Sequence, residues 1–316
     1  MRQRRREPSR SSQRSGAFSV DMGNEGVSGY SFDHACLYNE FLFRGSSAMK
    51  IGRQEHRSSA LSTSNADTII VRGKDLCRDL IGQVSFTDYV WFLLSGQMPQ
   101  PAQRKVLDAT LVAIAEHGLV PSVQASRMTY AAAPEALQGA VAAGLLGCGS
   151  VILGAAQDAG KLLADVVARS QDSSLNAAAT AVVSELRAAR KPVPGYGHPL
   201  HKGEDPRASR LFAVATEAGL PDAHRRAAKE IEAVLPAITG KTLVMNVSAA
   251  IPAVLLDAGF PLGALKGVPL LARTASLVAH LLEEQSKPIG FVLSHAASKA
   301  IDYDGPLPDG FVRGDA

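Results

Sequence analysis

Cysteine is scarce: the chain has three in 316 residues, Cys36, Cys77 and Cys148, with no Cys-x-x-Cys spacing. That argues against a disulfide framework and against a zinc site, and fits a reducing, cytoplasmic compartment. No metal is expected. Long apolar runs are also missing, with none of eighteen residues or more, so no membrane partner is expected. The N-terminal stretch has no apolar core of the kind a secretory signal carries. Charge of one sign is in short supply too. The formal net charge is +3, and six arginines between Arg2 and Arg14, against Glu7, account for it. Without that stretch the chain is near neutrality, which gives no support to a nucleic-acid partner. Strand-like alternation is nearly absent after residue 72.

What remains has an ordinary globular composition, 46% hydrophobic and 20% charged. Residues 1–48, rich in Arg, Ser and Gly and without sustained period, predict a disordered basic arm. Met49 reads as a functional start, and a basic transit peptide fits less well because the arm lacks an amphipathic pattern. Thr68-Ile69-Ile70-Val71 predicts a short strand or extended entry followed by a turn. Helical spacing then dominates. Residues 84–94 place Phe86, Tyr89, Trp91 and Phe92 in a core, and 101–115 forms a helix stopped by Gly118. An Ala/Gly/Leu-rich stretch over 134–163, apolar on nearly every side, predicts a buried central helix pair. Further helices are expected over 176–190, 205–218, 221–235, 247–256, 262–284 and 289–301. The fold class is all-α: a large helical domain (49–151 and 244–316) with a smaller, more charged domain, 152–243, inserted in it.

Chemistry concentrates in Gly195-Tyr196-Gly197-His198-Pro199-Leu200-His201-Lys202-Gly203-Glu204-Asp205-Pro206-Arg207. The two glycines permit backbone angles that other residues avoid, and Pro199 restrains the chain just after the imidazole. An imidazole titrating near neutrality exchanges a proton with a substrate oxygen. Arg207 can hold a carboxylate through two parallel hydrogen bonds, and Lys202 and Arg210 extend the positive field. The bland alternative makes His198 a capping or core histidine and pairs Arg207 with Glu204 or Asp205.

This run resembles the signature of the citrate synthase superfamily, and the resemblance extends over about residues 68–304. Arg72-Gly73-Lys74-Asp75-Leu76 is similar to its Arg-Gly-x-Asp-Leu entry. Glu116-His117-Gly118-Leu119, followed by Ser122 and Ser126-Arg127, resembles the segment carrying a substrate-binding histidine. Pro192-Val193-Pro194-Gly195 is similar to the turn near the coenzyme A adenine. Arg273-Thr274-Ala275-Ser276, running on to His280 and Glu284-Gln285, resembles the stretch whose arginine binds oxaloacetate. The wording Gly-His-Pro-Leu-His-Lys and the short length are closer to bacterial citryl-CoA lyase-like members. The resemblance implies His198 as acid/base, and His117, Arg207 and Arg273 as carboxylate ligands. It also implies a coenzyme A contact at Pro194, Gly195, Tyr196 and Gly197, and a homodimer. A coenzyme A thioester is then a substrate, and no tightly bound cofactor is expected.

Two positions depart from the family pattern. Where citrate synthases carry a histidine in Gly-Pro-Leu-His-Gly-Gly, the matched run 144–149 has Gly147, next to Cys148, itself best read as a small buried residue. Where Asn-Val-Asp supplies the base for the α-proton, Asn246-Val247-Ser248 has a hydroxyl. Asp257 lies nine residues on, two and a half turns away, and cannot fill in. Loss of a general base costs ~10²–10⁴-fold in rate. Condensation begins with α-proton removal, whereas cleavage of a 3-hydroxyacyl-CoA begins at the hydroxyl, within the capacity of His198. The residues therefore favour a citryl-CoA lyase-like enzyme acting on a 3-hydroxy-3-carboxyacyl-CoA, with Ser248 and Gly147 lining the acyl site. The alternatives are a citrate or methylcitrate synthase-type condensation and a non-catalytic binder of CoA or carboxylates.

Overall fold

The computed structural model describes residues 57–149, 153–197 and 203–311; the basic arm, Met49 and His198 lie outside them. Three short antiparallel strands come first: β1 (Ser62–Ser64), β2 (Ile69–Val71) and β3 (Lys74–Asp75), in that order. β2 and β3 join across Arg72-Gly73, with φ of 48° and 81°. Such a two-residue turn demands positive φ at both positions, natural for glycine and strained for arginine. Arg72 is held there by its own guanidinium, whose Nε and Nη2 donate to the Leu93 carbonyl at 3.1 and 2.8 Å. Asp75 accepts the N–H groups of Cys77 and Arg78 and so starts a π-helical turn, Leu76–Leu80. The Arg72–Leu76 run is thus a docking device for the hairpin.

Eleven α-helices follow among the described residues, as the all-α expectation required. They are α1 (Phe86–Ser95), α2 (Pro101–Ala115), α3 (Pro121–Ala132), α4 (Leu137–Leu146), α5 (Ala155–Arg169) and α6 (Leu175–Ala188). Then come α7 (Pro206–Glu217), α8 (Ala223–Thr239), α9 (Val247–Asp257), α10 (Gly267–Ser286) and α11 (Gly290–Ala300). Ser85 and Asp88 form a capping box at the start of α1, and Gly96 closes it in the left-handed region. Trp91 and Phe92 are buried as expected, and Trp91 meets Phe260 edge to face at 5.3 Å. Phe86 is not in the core: it is 68% exposed at the first turn of α1.

Two expectations need correcting. Helix α3 is missing from the sequence-based set because its buried face is mostly polar: Ser122, Ser126 and Arg127, with Val123 alone apolar. The expected central pair over 134–163 is α4 and α5, but α4 buries only Ala140 and Gly144, and leaves Leu146 86% exposed. The centre is α9 instead, with nine of its residues buried. Helices α2, α5, α7 and α8 pack around α9, whereas α10 lies on α2, α3 and α4, and α11 covers α3. Helix α2 touches both groups, so residues on α3 and α10 share a scaffold with those on α7 and α9.

Candidate active site

Arg273, in the first half of α10, is 3% exposed, and its Nε and Nη1 have no hydrogen-bond partner among the described residues. The same holds for the hydroxyls of Ser122 and Ser126, one turn apart on α3 and both buried. A buried guanidinium without a carboxylate is costly, as are buried hydroxyls without partners. Arg127 makes the contrast. It is equally buried, yet donates to Glu284 Oε2 at 2.5 Å, Glu283 Oε2 at 2.8 Å and the Lys287 carbonyl at 3.0 Å. One arginine is saturated by the fold; the other has donors to offer an anion.

Gly147 and Cys148 end α4 against the same place. A Cβ on Gly147 would come within 3.5 Å of Ser122 Cα. Burial pushes the Cys148 thiol up, against the pull of the Arg273 charge. The thiol donates to the Gly144 carbonyl at 3.4 Å, as a small buried residue does. His117 sits exposed in the turn between α2 and α3, and its neighbour Glu116 accepts a hydrogen bond from Ser276, one turn beyond Arg273. The fold therefore gathers Arg273, Gly147 and the His117 turn around the start of α3.

A second cluster supports the 195–207 run. Tyr196 bridges Met245 in antiparallel fashion. The Gly197 N–H donates to the Val244 carbonyl at 2.8 Å, and the Asn246 N–H to the Gly195 carbonyl at 2.9 Å. Asn246 also donates through Nδ2 to the Gly197 carbonyl at 2.7 Å, and caps α9 by accepting the Ser248 N–H at 2.8 Å. Gly195 has φ +87, and a Cβ there would lie 2.5 Å from that of Ala249, so only glycine fits. Pro194 precedes it, half-buried. The Tyr196 side chain turns into the core and donates to the Ala228 carbonyl at 2.7 Å. Ser248 lies half-buried in the first turn of α9. No hydrogen bond or ion pair among the described residues joins this cluster to that of Arg273.

The family profile for citrate synthase, C-terminal domain, matches residues 85–290, well over half of the chain. The chain belongs to the citrate synthase family. Proteins described as putative citrate synthase 2 in Mycobacterium bovis and Mycobacterium tuberculosis are 30% identical to it over 217 residues. The match covers 66% of this chain and 54% of theirs, so the chain spans about half the length of the curated relatives it matches. Among solved structures, the citryl-CoA lyase of Hydrogenobacter thermophilus is similar with a TM-score of 0.71 and 30% identity. The superposition covers 81% of this chain and 97% of that one. An ATP citrate lyase of Methanosaeta concilii, solved with (3S)-citryl-CoA, shares the fold at TM-score 0.66 and 20% identity, over 92% of this chain and 47% of its own.

Within this citrate synthase fold, Arg207 is held by Asp205. Its Nε and Nη2 donate to the two carboxylate oxygens at 3.0 and 2.9 Å, the pairing that the bland alternative expected. Arg210 pairs with Glu217 at 2.8 Å. Asp205 is 1% exposed; it caps α7 and also accepts the Val247 N–H at 3.0 Å, tying the starts of α7 and α9 together. Burial alone would raise its pKa, but the Arg207 hydrogen bond, the Val247 N–H and the Arg207 charge hold it below the usual carboxylate range. A carboxyl depressed by folding contributes stability above its unfolded pKa and loses it as pH falls through the folded one. Asp205→Asn is therefore expected to lower the thermal midpoint at neutral pH, with the gap to wild type closing below about pH 4. A gap that stays constant on acidification, followed by circular dichroism, would contradict this assignment.

Ser122 and Ser126 stood in the sequence without an assigned role. Their spacing of four on a helix carrying little apolar periodicity was the available signal.

Proposed function

We propose that the chain is a citryl-CoA lyase-like enzyme that cleaves a 3-hydroxy-3-carboxyacyl-CoA to an acyl-CoA and a 2-oxo acid. The observation that carries this is the buried Arg273 guanidinium, with unpartnered donors, on a helix packed against the one that holds two unpartnered hydroxyls. Such a set suits a small carboxylate, held by charge-assisted hydrogen bonds in a medium where they are strong. The likeness to a citryl-CoA lyase over nearly all of that protein's length supports the substrate class.

In this scheme His198 follows directly on the Gly195–Gly197 bridge and takes the proton of the substrate hydroxyl. The carbon–carbon bond then breaks, leaving the carbonyl of the 2-oxo acid and the enolate of the acyl-CoA thioester. Water protonates the enolate, since Ser248 offers no base or strong acid there. His117 would complete the carboxylate site, Arg207 could join only through donors that Asp205 does not engage, and Pro194–Gly197 would form the coenzyme A side, within the 152–243 domain. Incubation with citryl-CoA should release acetyl-CoA and oxaloacetate, and His198→Ala should lower that rate by ~10²–10⁴-fold. No acetyl-CoA above background would sink the assignment for this substrate.

Ser248, in the place of the family aspartate, favours one second reading: a binder that keeps the carboxylate site without turnover. Citrate binding by calorimetry together with no cleavage of several hydroxyacyl-CoAs would select it.

We also propose a homodimer. Val278 and Leu282 on α10, Phe291 and Val292 on α11, and Leu146 on α4 are exposed apolar residues on helices that all pack against α3. Light scattering should give twice the 33.2 kDa chain mass. The double substitution Leu146→Glu, Leu282→Glu should give the single mass, and an unchanged mass would place any partner elsewhere.

A further inference from the structure

Glu116 closes α2 and gathers three hydrogen bonds from two directions. Its Oε1 accepts the Gly118 N–H at 2.5 Å, folding the His117-Gly118 turn back on itself. Its Oε2 accepts the Ser276 hydroxyl at 2.5 Å and faces His280 Nε2 at 3.0 Å. The imidazole is clamped on its other side, where Nδ1 lies 3.5 Å from Arg127 Nη1. A guanidinium has donors and no acceptor, so Nδ1 must accept; the ring proton then resides on Nε2 and is donated to Glu116. Arg127 is itself fixed by Glu283, Glu284 and the Lys287 carbonyl. The result is a directed chain from α3 through α10 to the turn: Arg127 to His280 to Glu116, which holds Gly118. Burial opposes it, yet the Ser276 and Gly118 hydrogen bonds and His280 keep the Glu116 carboxyl below its ordinary range.

We propose that Glu116 is a positioning residue that sets the His117-Gly118 turn against α10, beside Arg273. Its oxygens touch no reacting atom; it acts through the turn. The proposal rests on the carboxylate-site assignment only where ligand affinity is the readout.

The donor directions supply a test that simple loss of packing cannot mimic. Glu116→Gln has the same shape, but its amide replaces one acceptor by a donor. Whichever way that amide turns, a donor meets either Gly118 N–H or His280 Nε2–H. His280 cannot relieve the conflict by moving its proton to Nδ1, because Arg127 donates there. In the double variant Glu116→Gln, His280→Gln, the second amide can present its oxygen to the first. His280→Gln alone can turn its NH₂ to Glu116 and should resemble wild type.

Two quantities are to be measured on the full chain and the three variants: amide hydrogen exchange at Gly118, and citrate affinity by calorimetry. Glu116→Gln should speed Gly118 exchange and weaken citrate about threefold, the size of one hydrogen bond lost at a half-exposed carboxylate. The double variant should recover most of both. Unchanged Gly118 exchange in Glu116→Gln, or a double variant no better than the single, overturns the proposal. If the wild-type chain binds no citrate, the carboxylate-site assignment fails by itself, and Gly118 exchange alone decides the role of Glu116.

Discussion

Arg273→Met is expected to unfold at a higher temperature than the wild-type chain while losing its carboxylate ligand. The two effects have one cause. In the absence of ligand, Arg273 places a charge in the interior with Nε and Nη1 unpartnered, on a helix packed against the one that carries the unpartnered hydroxyls of Ser122 and Ser126. Replacing buried ionic groups by well-packed apolar ones stabilises by about 1–4 kcal/mol where the charge lacks good compensation. A ligand that binds the native state raises its stability by mass action, so citrate should raise the wild-type midpoint and leave that of Arg273→Met unmoved. Its affinity should fall by ~10²-fold or more, as when one partner of a desolvated charge pair is removed. Thermal scans with and without citrate check both halves. A variant that is destabilised and still shifted by citrate would mean that Arg273 is structural.

Asp257→Ala should do the opposite: large destabilisation and intact ligand binding. The carboxylate, fully buried at the end of α9, accepts the His224 N–H at 2.8 Å and the Arg225 N–H at 3.2 Å, capping α8 from another helix. It also receives Arg225 Nε at 2.9 Å and faces His224 Nδ1 at 3.0 Å. Arg225 in turn donates to Thr216 Oγ1 and to the carbonyls of Phe212, Leu220 and Pro221. Removing the acid leaves a buried guanidinium and a helix N-terminus without their acceptor. The cost is about 3–5 kcal/mol, measurable as a lower urea midpoint at unchanged slope. Asp257 lies about 13 Å along α9 from Ser248, and its oxygens are engaged by α8, so citrate affinity should hold. A fall in affinity without a fall in stability would reverse the assignment and make Asp257 a site residue.

These two positions show how far residue patterns carry. Most helices announce themselves through apolar spacing, as α2 does between Pro101 and the Gly118 stop. Helix α8 was expected to end at Leu235 before Pro236, yet it runs on to Thr239. Pro236 sits in its last turn, and the surrounding packing tolerates the missing N–H. Helix α3 left little apolar trace because, Val123 apart, it buries serines and an arginine. Helix α4 looked central because Ala, Gly and Leu fill it, while its Leu137 and Leu146 face outward.

The family was legible from residues in order along the chain: Arg72-Gly73, Glu116-His117-Gly118, the 195–207 run and the 273–285 stretch. The same resemblance sets Gly147 and Ser248 against a histidine and an aspartate of the family pattern. What only the tertiary structure decided is which charges are free to act. Arg127, Arg207, Arg225 and Arg273 are alike in sequence. In the fold, Glu283 and Glu284 saturate the first, Asp205 holds the second and Asp257 the third, and for the first and third no spacing announces the partner. Arg273 has no carboxylate partner among the described residues. A charge becomes a binding group by what surrounds it, and burial and partners are properties of the folded chain.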